Sequence, residues 1–544
     1  MITKQLLDPK SIVVVGGSDN IQKPGGKVLK NLIDGNFKGN LYVANPKEDE
    51  VQGVKSFKNP EDLPQVDLAI LAIAAKFCPQ TVRLLAEQKN TKAFIILSAG
   101  FSEENEEGAL LEQEVVDIVN ENDACLIGPN CVGVLNQNHN GVFTTPIPSL
   151  DPKGVDFISG SGATAVFIME SAMPKGLKFS SVYSVGNSAQ IGVEEIVKYL
   201  DETFDPKTSS MVKLLYIESI DKPQMLLKHA SSLIRKGCKI AAIKSGSSEA
   251  GSRAASSHTG ALASSDVAVD ALFRKAGIVR CAGRDELATV ASIFMHPELK
   301  VKNIAIITHA GGPAVMLTDA LSNNKLEIPH IEGPKADTLL EKLYPGSSVA
   351  NPIDFLATGN AEQLGHIIDA CENDFEHIDA MAVIFGSPGL FPVYDVYDLL
   401  DEKMKTCKKP IYPILPSIIN VKDEIDAFIG KGRINFPDEV IFGNALAKIY
   451  HTEKPVSENI ELPKIDHSAI RTIIDNSEDG YISPEKVQAL LDATGISRSG
   501  EAVVISREDA VKEAEKLGLP VVMKVVGPVH KSDIGGVVLN VKDT

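Results

Sequence analysis

Apolar residues follow two alternating rhythms along this chain. Short unbroken runs have the length and β-branched content of buried strands: "SIVVVGGS" (11–18), "NLYVANP" (40–46), "VDLAILAIA" (66–74), "KAFIILSAG" (92–100) and "ACLIGPN" (124–130). Between them, "KVLKNLIDG" and "PQTVRLLAEQ" carry apolar residues at helical spacing. Strand, helix, strand at this rhythm predicts a parallel sheet with helices on both faces, since a parallel crossover needs a helix-length connection.

A second βα series opens after the Pro-rich stretch "TTPIPSLDPKG" (144–154), with "VDFISGSGATAVFIMESA". A third begins near 302 with "NIAIITHAGGPAVMLTDAL". Superimposed, they align Gly162 with Gly311, Ala165 with Ala314, Val166 with Val315 and Glu170 with Asp319. The expected fold is α/β: a Rossmann-like domain over 1–143, then two related flavodoxin-like domains over 150–295 and 300–455. Polar, Pro-containing sequence over 456–468 reads as a linker. A last segment, 469–544, has a helical "ISPEKVQALLDATGI" and a strand-like "PVVMKVV". It stops within the strand-like "VVLNVKDT", so the chain is expected to be a piece of a longer one.

Length agrees: 544 residues at ~150 per domain give three or four domains. With 44% hydrophobic and 23% charged residues the chain is ordinary globular protein. A net charge of −18 repels phosphates, which argues against nucleic-acid or anionic-membrane partners. The longest apolar run, "LAILAIAA" (68–75), is far short of the ~20 residues a bilayer span needs. Seven scattered cysteines without a C-x-x-C pair, and no signal-peptide core, point to a reduced, cytoplasmic protein without structural zinc.

Candidate chemistry begins at the first strand's end. Gly16, Gly17 and Ser18 precede a helix, a turn that exposes backbone N–H groups to phosphate. The dinucleotide fingerprint G-x-G-x-x-G is absent, and after the second strand stand Asn45, Pro46 and Lys47 in place of a ribose-binding acid. A phosphate-bearing adenine nucleotide fits, NADP or coenzyme A, and the pattern leaves the two open. In "GSRAASSHTGALA" (251–263), His258 lies among residues too small to enclose it, which reads as a flexible loop. Ser161, Gly162 and Ala163 open a helix that can hold an anion, and "LLYIESI" (214–220) leaves Glu218 at the end of a buried strand. A neutral imidazole can attack phosphorus through one nitrogen while a carboxylate such as Glu218 steadies the other. Asn187, in "GNSAQIG", is a candidate contact of the acyl or phosphate pocket. Cys131 has no basic neighbour in sequence and reads as packing, and His309 as a strand-end structural residue.

"SSHTGALA" resembles the phosphohistidine loop of the ADP-forming acetyl-CoA synthetases (acyl-CoA synthetases, NDP-forming), relatives of succinyl-CoA synthetase. "GPNCVGV" (128–134), which contains Asn130, "VDFISGSGA" and "YIESI" resemble the family's CoA-binding and ligase segments. "MKVVGPVHKSDIGGVVLNV" (523–541) resembles the start of its ATP-grasp domain. The resemblance implies the reaction acyl-CoA + phosphate + ADP ⇌ carboxylate + CoA + ATP, with a small carboxylic acid as product. It implies that Glu218 steadies a phosphorylated His258, that this loop swings toward the nucleotide domain, that His530 receives the phosphoryl group and that Lys524 contacts nucleotide phosphates. It also implies a homo-oligomer and Mg²⁺, the latter with ligands past Thr544, so that this stretch alone makes ATP poorly. Two alternatives stand beside it: an acyl-CoA-sensing module of an acetyltransferase-type relative, and an NADP-dependent dehydrogenase. The intact "SSHTG" weighs against the first, and the missing fingerprint against the second.

Overall fold

The five apolar runs of the first segment become parallel strands of a seven-stranded sheet. Its neighbours run Glu50–Val51, Val54–Phe57, Asn40–Ala44, Ser11–Val15, Leu68–Leu71, Ala93–Ile96 and Cys125–Ile127. Every residue of Ser11–Val15 is buried, as a strand covered on both faces requires. The chain goes to one side of this strand for Asn40–Ala44 and to the other for Leu68–Leu71. That reversal creates a crevice at the strands' carboxyl ends, where Gly16–Ser18 lies. The computed structural model describes residues 2–259, 265–387, 391–456, 465–527 and 532–543, with no side chain described between 255 and 264.

The second sheet runs Val279–Cys281, Lys239–Lys244, Val212–Ile217, Leu150–Ser159, Phe179–Ser184, Gly133–Leu135 and Asn140–Val142. Its last two strands are an antiparallel hairpin that sequence assigns to the first domain; Val134 pairs with Tyr183, so the hairpin extends the second sheet instead. Residues 133–142 therefore knit the two sheets together, and Val14 and Ile158 share one apolar core.

The third sheet has four parallel strands, Ile353–Asp354, Ile304–Thr308, Ala380–Ile384 and Ile411–Ile414. Numbered in chain order, the parallel strands of the second and third sheets both run 2-1-3-4, the flavodoxin-like order. Val279–Cys281 adds a fifth to the second sheet, and the parallel bridge of Ile414 to Phe436 marks the same place in the third. Ala165 and Ala314, aligned by sequence, are both buried in the core these two sheets share.

The three sheets form one compact unit, Met1–Pro455. The second unit, Val456–Thr544, holds helices His467–Asp475, Pro484–Ala493 and Arg507–Leu517 and the antiparallel strands Val521–Lys524 and Val537–Val541.

Candidate active site

Gly16 ends the first strand with φ +83°, and a Cβ there would stand 2.6 Å from Ala72 O, so only glycine fits. Asn45 Nδ2 donates to Gly17 O at 2.9 Å, and Asn45 Oδ1 accepts from Lys47 N at 2.9 Å. Asn45 thus shapes the turn with its own amide, while Pro46 and Lys47 are exposed at its rim. Ser18 Oγ accepts from Asn20 N at 3.1 Å. The helix does not follow the glycines at once: it begins at Pro24, where proline costs no intrahelical bond.

A separate cleft of about 550 Å³ gathers Asn130, Ser161, Gly162, Ala163, Asn187 and Glu218 between the first and second sheets. Ser161 caps helix Gly162–Ala172, its side chain accepting from Thr164 N. Ser161 N itself donates to Ser159 Oγ at 3.2 Å. The N–H groups of Gly162 and Ala163 have no intrahelical acceptor at that position, and the helix dipole favours an anion beside them. Glu218 follows strand Val212–Ile217 and lies beside Gly160, where an added Cβ would be 3.9 Å from Glu218 Cγ. Glycine at 160 leaves room next to the carboxylate.

The cleft lining also includes apolar Leu97, Cys131, Val132, Phe143 and Val193. Cys131 Sγ donates to Ile96 O at 3.3 Å, and burial pushes its thiol up to about 12, so it packs as a neutral group. Asn187 lines the cleft, and its side-chain amide is bonded to protein groups. Its Nδ2 donates to Glu103 Oε2 at 2.5 Å and Glu112 Oε2 at 2.9 Å, and its Oδ1 accepts from Asn130 Nδ2 at 3.3 Å. Its amide ties loops of the two sheets together. Burial would raise the Glu103 carboxyl, but the bonds from Asn187, Gly100 and Phe101 outweigh it and hold it below the usual glutamate value.

Three charged residues near the site carry no sequence signal that singles them out. Glu103 sits in an acid-rich stretch that resembles a solvated helix start. Glu194, buried at 6% exposure, bonds the loop beyond Glu218. Lys244 ends the strand beside that of Glu218; burial pushes its ammonium down, while Asp266 and Glu218 counter the fall.

The stretch expected as a flexible loop is helical over Glu249–Thr259. Its alanines favour helix, and Glu249 pairs with Arg253 at 2.7 Å one turn on. His258 is carried near the end of this helix, and its side chain lies outside the described residues, as does all of His530. Lys524 ends strand Val521–Lys524 of the second unit and is exposed. Among the described residues no group of three or more His, Cys, Asp or Glu side chains could hold a metal ion, and no helix is long and apolar enough to cross a membrane.

Family models match three stretches of the chain. Residues 10–137 match a CoA binding domain, 152–294 a succinyl-CoA ligase like flavodoxin domain, and 474–544 an ATP-grasp domain. The acetate–CoA ligase [ADP-forming] I of Archaeoglobus fulgidus is 31% identical over 552 residues, spanning 99% of this chain and 78% of that protein. The chain belongs to the ADP-forming acid–CoA ligases. This ADP-forming ligase is thus an enzyme of the acid–thiol ligase type. It is 30% identical over 558 residues to the 4-hydroxybutyrate–CoA ligase [ADP-forming] of Nitrosopumilus maritimus, covering 99% of this chain and 78% of that one. The solved structure of the dinucleotide forming acetyl-coenzyme A synthetase 1 of Ca. Korarchaeum cryptofilum in complex with phosphate and ADP superposes with a TM-score of 0.73. It is 26% identical and covers 82% of this chain and 96% of that chain.

Proposed function

We propose that the cleft between the first two sheets is where phosphate displaces CoA from an acyl-CoA, and that His258 then carries the phosphoryl group toward an adenine nucleotide. The observation that carries this reading is the convergence of the first N–H groups of a helix, Glu218 and apolar side chains in one cleft beside the CoA binding domain. That domain match and the CoA ligases among the relatives favour CoA over NADP at the Gly16–Ser18 turn.

A phosphate oxygen adds to the thioester carbonyl, the C–S bond breaks, and CoA leaves as the thiol, giving an acyl phosphate. The Gly162 and Ala163 N–H groups hold the phosphate oxygens throughout. An imidazole nitrogen of His258 then attacks phosphorus, the bond from phosphorus to the acyl oxygen breaks, and the carboxylate leaves. Glu218 accepts a hydrogen bond from the N–H on the other ring nitrogen and balances the charge that develops on the ring. A β-phosphate oxygen of ADP finally takes the phosphoryl group, and His530 and Lys524 are proposed to serve that end. The acid is a carboxylic acid, and the relatives' names span acetate, 4-hydroxybutyrate and the bulkier trans-feruloyl group. Seven cysteines without a disulfide suit work in the reducing cytoplasm.

Mixing the chain with acetyl-CoA and phosphate, without nucleotide, tests the reading. A burst of free CoA thiol is expected, larger in the native chain than in Glu218→Gln, because phosphorylation of the chain draws the acyl phosphate forward. Thiol release of equal size in both, or none in the native chain, would count against it.

A further inference from the structure

We infer that Glu194 is a positioning residue for Glu218; this rests on the role given to Glu218 above. Glu194 is the second residue of helix Val193–Glu202 and is only 6% exposed, although it lines the cleft. Its Oε1 accepts the backbone N–H of Asp221 at 2.9 Å and of Lys222 at 3.1 Å. The next residue, Glu195, takes the Lys222 ammonium at 2.6 Å and the Gly192 N–H at 3.0 Å. Two adjacent carboxylates therefore hold residues 221–222 by main chain and by side chain.

At the other end, Ile217 O accepts from Ser245 N at 3.0 Å, which completes the sheet. Glu218, Ser219 and Ile220 thus lie between two fixed points. A carboxylate at a helix start gains from the dipole while fully solvated, so nothing in helix capping requires its burial. Burial costs solvation, and here two charge-assisted bonds to one short loop offset that cost. The position of Glu218 is what those bonds determine.

The third sheet supplies an internal control. Its corresponding helix, Ala361–Asn373, also has glutamate as its second residue, Glu362, but with an 81% exposed side chain. Strand register places Gly386 there where the second sheet has Glu218, because Ser159 pairs with Tyr216 as Thr308 pairs with Ile384. The buried glutamate accompanies the carboxylate it supports.

Rapid-quench phosphorylation of the 544-residue chain by acetyl phosphate tests this. Glu194→Ala is expected to slow phosphorylation about 10- to 100-fold, the range for groups that orient a reacting side chain. Glu194→Gln keeps the accepting oxygen and stays within a factor of a few of the native rate. CoA affinity by calorimetry is unchanged in both, and amide exchange in Glu194→Ala rises only around Asp221 and Lys222. A native rate in Glu194→Ala overturns the inference. So does an equal loss in both variants with CoA affinity falling in parallel, which marks a general folding defect. If Glu194→Ala does not fold, the native amides of Asp221 and Lys222 decide: protection like that of strand Val212–Ile217 supports the bonds, and exchange at the solvent rate refutes them. Glu218→Gln is run beside them. If it reacts at the native rate, the role of Glu218 fails; if it is slow while Glu194→Ala is not, only Glu194 is removed.

Discussion

In the second sheet Gly160 stands beside Glu218; in the third, at the same register positions, His309 stands beside Gly386. The surrounding backbone is otherwise duplicated in detail. Ser159 Oγ donates to Ser161 O at 2.7 Å, and Thr308 Oγ1 donates to Ala310 O at 2.8 Å. Ser161 N returns a bond to Ser159 at 3.2 Å, and Ala310 N to Thr308 at 2.9 Å. After the neighbouring strand the chain turns through a left-handed residue in both, Gly186 at φ +55° and Leu356 at φ +68°. Only the polar partner has changed sides. The His309 ring lies edge-on to Phe385 at 4.3 Å, with Nε2 2.6 Å from Gly386 O. It fills the space that Gly160 leaves open next to Glu218. One scaffold thus offers either a strand-end carboxylate or a plugged strand end, and two adjacent register positions differ between them.

Substituting across that pair has the largest expected effect. Gly160→His should lower phosphorylation by acetyl phosphate about 10³-fold, within the span of lost acid–base assistance. The new Cβ would stand 3.7 Å from Tyr216 O, an ordinary contact, so the side chain starts without a clash, and an unchanged melting temperature beside a native rate would break the comparison. Glu218→Gln should cost about 10²-fold in the same assay with CoA affinity retained. A native rate would remove the carboxylate from the scheme. His309→Ala should leave phosphorylation unchanged and cost about 1–2 kcal/mol of stability through lost packing and a lost hydrogen bond, read by denaturant unfolding. A slowed phosphorylation would show that the third sheet still takes part.

The smallest effect is in pH dependence. Burial pushes His309 below the ordinary histidine value, and pushes His139 and His296 down to about 4. The unfolded chain then takes up protons first, at about 6.5. Stability is therefore full above that pH and is lost as pH falls toward 4. His309→Ala should slightly flatten this fall in melting temperature, and a steeper fall would contradict the assignment.

Much of this was legible in the sequence, for definable reasons. Doubly covered strands are unbroken apolar runs, so Ser11–Val15 and Leu68–Leu71 announce themselves. The repeat of the second and third sheets was visible because close packing at Ala165 and Ala314 keeps small residues in register. Pairing across the chain is not written locally, which is why the hairpin of residues 133–142 falls in the neighbouring sheet from the one its sequence position suggests. Small residues around His258 read as loop, yet alanine and a Glu249–Arg253 pair also make helix. Gly162, Ala163 and Glu218 are legible as candidates because strand ends have a recognisable grammar, and the structure brings them to one cleft. Glu194 is not legible, since a glutamate at a helix start is normally solvated and only the fold shows what its carboxylate grips.

The covalent carrier can be located directly. After incubation with acetyl phosphate and digestion at alkaline pH, where phosphohistidine survives, peptide mapping should place the phosphoryl group on His258, with none on the chain in His258→Ala. A phosphoryl group mapped to another residue, and undiminished in His258→Ala, would contradict the scheme at its centre.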